Sequence, residues 1–109
     1  MSQTYLSYNN IISSLGFTTA QNIENISLGN SGIEKIDDKK VLQTPFYSSL
    51  IKTDQLDAAF QKLGSSSDFT RLEKMMFLSL NDVLEQSNLE ITAKTGLIIS
   101  TTKGNVDVL

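Results

Sequence analysis

The stretch Thr101-Thr102-Lys103-Gly104 is the part of the sequence that comes nearest to a phosphate-binding loop. The Walker loop also uses glycine, lysine and a hydroxyl residue, but there the glycine precedes the lysine at a fixed spacing. In this chain the order is reversed and the Walker spacing is absent. The pattern therefore favours a transition from a strand to a loop over a phosphate site.

Two acidic pairs are the other candidates for chemistry. Asp54 and Asp57 could place two carboxylates together for acid–base or metal chemistry, but both fall in the first turn of a predicted helix. Acidic side chains interact favourably with the helix dipole there, so we interpret them as capping residues. Asp37 and Asp38 could attract a hard cation, yet a calcium loop needs several more oxygen ligands at set spacing. The four charged residues over 37–40, two acidic and two basic, therefore favour a solvated turn.

The composition excludes most common kinds of active site. The chain has no cysteine and no histidine, so it cannot supply a thiolate, Cys-ligated zinc or the usual general base at neutral pH. No set of its residues combines a nucleophile, a base and an oxyanion donor, and we expect no catalytic residue, metal or cofactor. The net charge of −3 and pI near 4.7 also disfavour nucleic-acid binding.

The length of 109 residues, 39% of them hydrophobic, suits one small domain with a real core. No apolar run approaches the roughly 18 residues of a membrane span. The opening Met1–Leu6 has no basic region followed by an apolar core, so it does not resemble a secretory signal. From these features we expect a cytoplasmic protein.

The patterns in the first two-thirds of the chain predict short elements. They are a strand over Tyr5–Ile12, a helix from Thr18 or Thr19 to about Leu28, a short strand over Ile33–Ile36 and an edge strand over Phe46–Ile51. Gly29 follows the first helix where a left-handed C′ residue is expected. A second helix over Gln55–Leu63, capped by Asp54 and ended by Gly64, has apolar residues at the helical period.

The residue patterns in the last third of the chain predict a helix that packs on a strand. The longest helix runs from about Asp68 to Ser87, and it is apolar over so much of its circumference that we expect it to be buried between layers. Thr70 and Glu73 have the spacing of a capping box. The apolar run Thr95–Thr101 predicts a central strand covered on both faces. This arrangement favours a mixed or parallel sheet in an α/β fold.

Four segments, taken in order, resemble landmarks of the N-terminal portion of a β-ketoacyl synthase. The segments are Ile11–Gly16 (an apolar strand and turn), Leu28–Ile33 (a Gly-[KR]-Ser-Gly-Ile turn), Arg71–Leu89 (a long helix) and Thr95–Thr101 (a Val-Gly-x-Ile-x-Gly-[ST] strand). The resemblance covers essentially the whole chain. It departs from the family at Ser7–Asn10, which replaces a Thr-Gly step, and at Ser14, where proline is common.

The resemblance implies that residues 1–109 form an incomplete half of a thiolase-like fold with αβαβα layers. The family's catalytic cysteine and two histidines would lie beyond Leu109, so the chain alone is expected to be inactive. Acyl carrier protein would be the partner of the whole enzyme, and oligomers are expected. Thr102, Lys103 and Gly104 would lie in a loop near the acyl pocket. Because Lys103 stands where an apolar side chain is common, the synthase would be a divergent one, acting on aryl-polyene or other unusual polyketide chains.

Two other interpretations stay open. The chain could be a small α/β interaction module without catalysis, or a chain-length-factor-like partner of a synthase. If the chain is a piece of a five-layered fold, it should expose apolar faces and strand edges. We then expect self-association or partial disorder around residues 37–53.

Overall fold

The computed structural model describes residues 2–64 and 68–108 of the chain. The elements over these ranges are α1 (Thr19–Ser27), β1 (Glu34–Ile36), β2 (Phe46–Ser48), α2 (Thr53–Gln61), α3 (Arg71–Ser87) and a short 3₁₀ helix (Val106–Val108). β1 and β2 pair antiparallel, with Lys35 opposite Tyr47. The described chain is therefore a mixed α/β structure in which helix predominates.

The α1 helix forms as predicted, and polar side chains hold it. The Thr18 hydroxyl caps it by accepting from the Gln21 amide at 3.1 Å. Gly29 follows with a φ of +78°, the left-handed region in which a Cβ is unfavourable. Asn22 is only 5% exposed, and its amide nitrogen donates to the carbonyls of Ile11 and Gly16. These bonds tie the preceding loop to the helix.

The α2 helix supplies the two buried apolar side chains of the described chain, Leu56 and Phe60. They lie four residues apart on one face, as the helical period predicts. The predicted cap at Asp54 is wrong, because the helix begins at Thr53, two residues before the predicted Gln55, and its N-cap is Lys52, which makes no side-chain capping bond. Asp54 instead lies inside the first turn, where its charge still faces the positive end of the dipole. Gly64 follows with a φ of +74°.

The α3 helix begins with the predicted capping box. The Glu73 amide donates to the Thr70 hydroxyl at 3.3 Å, and the Thr70 amide donates to the Glu73 carboxylate at 2.7 Å. The helix starts at Arg71, one turn later than the earliest predicted start, and Asn88 ends it in the left-handed conformation with a φ of +50°. This box satisfies two of the backbone donors that every helix start leaves open.

The predicted burial of the long helix is not found. None of the α3 side chains is fully buried, because α2 is the element that packs against it. The contact is an aromatic cluster in which Phe69 has ring centroids 5.5 Å from Phe60 and 5.2 Å from Phe77. Phe77 remains 46% exposed even so. The opposite side of α3 lies beside segments of the chain that form neither helix nor strand.

Both long predicted strands are absent from the described residues. Tyr5–Ile12 and Thr95–Thr101 form no strand, and the sheet is a two-stranded antiparallel pair, not a mixed or parallel sheet. A strand needs a neighbour whose backbone groups complete its hydrogen bonds, and neither segment meets one. Leu6 and Ile98 are almost completely exposed as a result.

Much apolar surface therefore stays uncovered. The Cα radius of gyration is 16.8 Å, whereas a compact chain of about 100 residues has one of about 13 Å. Among the described residues, no helix combines the length and the apolar character needed to cross a membrane. The structure thus pairs a small core with wide apolar faces.

Candidate functional site

An apolar groove runs along α3 outside the small core. We call it the α3 groove; its volume is about 340 Å³. One wall consists of α3 side chains, the other of residues close to the C-terminus, and one residue from the opening segment lies between them. The lining residues are Leu72, Met76, Ser79, Leu80, Val83, Leu97, Ile99, Ser100, Thr101 and Asn10.

Asn10 places an unpaired hydrogen-bond acceptor in this groove. Its amide nitrogen donates to the Phe17 carbonyl at 3.0 Å and to the Ser79 hydroxyl at 3.1 Å. Its Oδ1 is buried and has no partner among the described residues. The Phe17 carbonyl fixes this orientation, since a turned amide would bring two acceptors together. A buried acceptor without a donor costs free energy.

The N-terminal end of α3 gathers several polar contacts. The Arg71 amide donates to the Asp107 carboxylate at 2.9 Å, and the Asn105 amide nitrogen donates to the Thr70 hydroxyl at 2.9 Å. The Arg71 guanidinium also donates to the Thr53 hydroxyl at 2.9 Å and to the Ile51 carbonyl. Arg71 thereby joins the starts of α2 and α3 and the chain close to the C-terminus.

The two aspartates of α2 do not form a carboxylate pair. Asp57 bonds the Lys74 ammonium of α3 at 2.7 Å, so its predicted role as a capping residue is wrong. It lies beyond the first turn, on the face that meets α3, while Asp54 is exposed. The arrangement links two helices and offers no acid–base pair.

The predicted turn at residues 37–40 is confirmed. The Asp38 carboxylate accepts from the Lys40 amide at 2.9 Å, and the Asp38 carbonyl accepts from the Val41 amide at 3.0 Å. Across residues 2–64 and 68–108, no group of three or more acidic side chains is placed to hold a metal ion. These oxygens therefore form a turn.

Thr102, Lys103 and Gly104 lie in an exposed loop next to the α3 groove and do not line it. The Thr101 hydroxyl accepts from the Gly104 amide at 3.1 Å and from the Lys103 amide at 3.4 Å. A phosphate loop needs backbone amides that point at the ligand, and these two already point at Thr101. Gly104 has a φ of +71°, so the turn is built on its conformational freedom.

A second cavity, of about 330 Å³, lies between the loop over 13–17 and α2. At its edge, the Ser14 hydroxyl donates to the Gly32 carbonyl at 3.0 Å and contacts the Ser49 hydroxyl at 2.7 Å. A Cβ on Gly32 would stand 2.2 Å from the Ser14 oxygen, so a larger residue at position 32 would displace the Ser14 hydroxyl. Ser14 and Gly32 come from two different turns of the sequence, and the structure brings these turns together.

Sequence reasoning missed the residues that organise these sites, notably Asn10, Asn22 and Asp107. The two asparagines had a usable signal, because an amide inside an apolar stretch must find partners when it is buried. Asp107 had no such signal, since its partner is a backbone amide distant in sequence.

Comparison with known proteins adds no relative: no family model, no curated protein and no solved structure matches this chain.

Proposed function

We propose that this chain is a non-catalytic structural segment of a divergent β-ketoacyl synthase, an enzyme that joins acyl thioesters with loss of carbon dioxide. In this proposal α3 is an internal helix of a thiolase-like αβαβα fold, and the rest of a synthase covers its apolar face. The α3 groove is the observation that carries the proposal. It places two apolar segments, distant in sequence and both patterned as strands, along the same face of one helix.

The backbone of these two segments supports that role. In the described part of the chain, residues 2–12 and 96–100 make no backbone–backbone hydrogen bond. A helix with an apolar stripe normally packs on a sheet through that stripe. Residues 2–12 and 96–100 are therefore available to join a sheet beside α3, and their exposed apolar side chains would then be covered.

The approach of two turns that resemble synthase landmarks gives further support. Ser14 and Gly32 meet there through a hydrogen bond of 3.0 Å, although Ser14 itself departs from the proline that is common at its position in the family. A side chain at position 32 would displace the Ser14 hydroxyl. The closeness of Ser14 therefore explains a glycine at position 32, which is also where the synthase turn has one.

The chemistry of the chain restricts what it contributes. Without cysteine or histidine it cannot hold the acyl group or assist decarboxylation, so those groups would come from the remainder of the enzyme. Acyl carrier protein would bind that whole enzyme. The loop over 102–104 would lie near the acyl chain, with Lys103 excluding an ordinary long apolar substrate.

Fragment complementation tests this proposal. A β-ketoacyl synthase that lacks its own N-terminal segment is co-expressed with the chain, and copurification and thioester condensation are measured. We expect the chain to copurify and to restore condensation, and we expect neither from the chain alone. Met76→Asp, which places a charge in the α3 groove, should abolish copurification, whereas Glu85→Lys on the exposed side of α3 should not.

The second candidate is a self-contained interaction module, and the region around α1 favours it. There the side chains of Asn22 and Ser14 bond backbone carbonyls of the loops, and no second protein is needed for this. A module should bind no truncated synthase, remain monomeric and unfold in one cooperative transition. A chain-length-factor-like subunit, in contrast, would bind a complete synthase without supplying the nucleophile.

A further inference from the structure

Residues 96–100, which we call the open segment, have an unpaired backbone. Within the described ranges, none of their N–H or C=O groups makes a backbone–backbone hydrogen bond. The hydrogen bonds that lie nearest along the chain are those of the Thr95 amide and the Thr101 hydroxyl. Because backbone donors and acceptors of an extended chain are completed best by another extended chain, both edges of the open segment are available for strand pairing.

The side chains of the open segment already alternate as they do in a strand. Leu97 and Ile99 line the α3 groove, whereas Ile98 between them does not line it and is 95% exposed. In an extended chain, successive side chains point to opposite faces. The open segment is therefore close to the conformation that pairing requires, and pairing costs little additional ordering of its backbone.

The charges around the open segment select a second copy of this chain as its partner. Residues 95–102 carry no charge, and Lys94 and Lys103 flank them. Antiparallel pairing of two copies about Ile98 places each Lys94 opposite Thr102 of the other copy, so that no like charges oppose one another. Moving the axis half a residue towards the C-terminus would place Lys94 opposite Lys103, which is destabilising. The segment is thus complementary to itself when the axis lies at Ile98.

The other open edges of the described chain fit a second copy less well. Residues 2–12 also lack backbone–backbone bonds. Their path is fixed, however, by side-chain bonds at Asn9 and Asn10, which tie them to α1 and α3. The strands β1 and β2 are only three residues long, and such short edges resist pairing. The open segment is therefore the edge best suited to association.

We propose that two copies of this chain associate through their open segments, which pair antiparallel about a two-fold axis at Ile98. Leu97 of each copy then opposes Ile99 of the other on the face towards α3, and the two Ile98 side chains meet on the opposite face. This is the only antiparallel register of the segment with itself in which all three apolar residues oppose apolar residues. The same patch serves on both copies, as in most symmetric dimers.

The small size of this interface sets its strength. Five residues from each copy are far fewer than the roughly 20–30 per side of a standard interface, so the dimer is weak and dissociates on dilution. The inference goes beyond the proposed function, in which the rest of a synthase covers the same segment. It concerns the chain by itself and is tested without a synthase, so that either proposal can fail alone.

Light scattering over a range of concentrations tests the association. The apparent molar mass should rise from the 12.0 kDa of one chain towards twice that value. Ile98→Lys should keep the mass at that of one chain, because two like charges then meet at the two-fold axis. Ile98 is almost fully exposed, so the fold of each copy should be unchanged, which circular dichroism verifies. The matched control Leu6→Lys alters an equally exposed apolar residue and should dimerise like the unaltered chain.

Mixing two charged variants tests the register. Ile98→Lys and Ile98→Glu should each be monomeric alone and should form a dimer together, since only a position that opposes itself brings the two new charges into contact. This rescue also separates a lost interface from a lost fold.

Cross-linking gives a second readout, because the chain has no native cysteine. Residues directly opposite in an antiparallel pair have Cα atoms about 4.5–5.5 Å apart, which suits a disulfide. Under mild oxidation, Ile98→Cys should therefore cross-link at least about tenfold faster than Leu6→Cys. The proposal is overturned if the chain stays monomeric at every concentration, if Ile98→Lys associates like the unaltered chain, if the mixed variants stay monomeric, or if the two cysteine variants cross-link equally fast.

Discussion

The region around α1 and the α2–α3 pair are held together by different forces. Around α1, the amide side chain of Asn22 reaches the carbonyls of Ile11, Gly16 and Thr18. In the α2–α3 pair, aromatic rings and the Asp57–Lys74 ion pair make the contact. The directional bonds satisfy the carbonyls around Asn22, although the buried acceptor of Asn10 stays unpaired. The helix pair, in contrast, packs on one side and leaves the other face of α3 open. An open face of this kind is what the proposed relation to a larger fold requires.

The largest effect should come from removing the apolar core of the helix pair. Phe60 is 2% exposed and touches two other rings. Phe60→Ala should lower the free energy of unfolding by about 3–4 kcal/mol, as cavity-forming substitutions do. Chemical denaturation followed by circular dichroism measures this. The control Ile98→Ala, at an almost fully exposed position, should change stability by less than about 0.5 kcal/mol; equal losses would show that the core is elsewhere.

The next effect concerns the polar region. Asn22→Ala leaves the carbonyls it served and the Ser13 hydroxyl without their partner, and should cost about 2–3 kcal/mol. Amide exchange should accelerate in α1 and the loop before it, and far less in α3. Asn30→Ala, which removes one exposed hydrogen bond, is the matched control. A uniform acceleration in all helices would contradict the division into two regions.

A smaller loss is expected at the start of α3. Thr70→Ala removes the side-chain half of the capping box and should lower the free energy of unfolding by about 1 kcal/mol. Thr70→Ser keeps the hydroxyl and should retain most of the stability. Because Asn105 also donates to this hydroxyl, part of the loss comes from the C-terminal turn, and chemical denaturation followed by circular dichroism measures the total. Equal losses in Thr70→Ala and Thr70→Ser would contradict a role of the hydroxyl.

The smallest effect is expected at the ion pair. Asp57 is 40% exposed and Lys74 is 14% exposed, so solvent and salt screen much of their attraction. Asp57→Asn should cost about 0.5 kcal/mol, and the difference from the unaltered chain should shrink in high salt. Urea denaturation at low and high ionic strength measures it. A cost that does not depend on salt would mean that the contact acts through packing instead of charge.

Local signals predicted the helices well. Thr70 with Glu73 gave the start of α3, Gly29 gave the end of α1, and the spacing of Leu56 and Phe60 gave the buried face of α2, because caps and helical periods are properties of adjacent residues. The strands over 5–12 and 95–101 were predicted wrongly. Their apolar patterns indicate that these segments favour a buried environment. A strand forms, however, only where another strand completes its hydrogen bonds.

The candidate site was much less predictable. The α3 groove brings Asn10 beside α3 and the segment close to the C-terminus, and this proximity depends on the path of the chain through loops that have no periodic pattern. The bond between Asp107 and the Arg71 amide is equally invisible in the sequence, since any residue could supply a backbone amide. The exposed loop over 102–104 was placed correctly as a loop by its glycine, and its nearness to an acyl chain stays a prediction.

The most direct test of the central claim, that a larger assembly covers the α3 face, is a mass measurement. Light scattering gives the molar mass of the chain mixed with an N-terminally truncated β-ketoacyl synthase. The account predicts a complex in which each truncated subunit carries one copy of the 12.0 kDa chain, and predicts that Met76→Asp removes that complex. Separate elution of the two proteins, with the unaltered chain behaving like Met76→Asp, would contradict it.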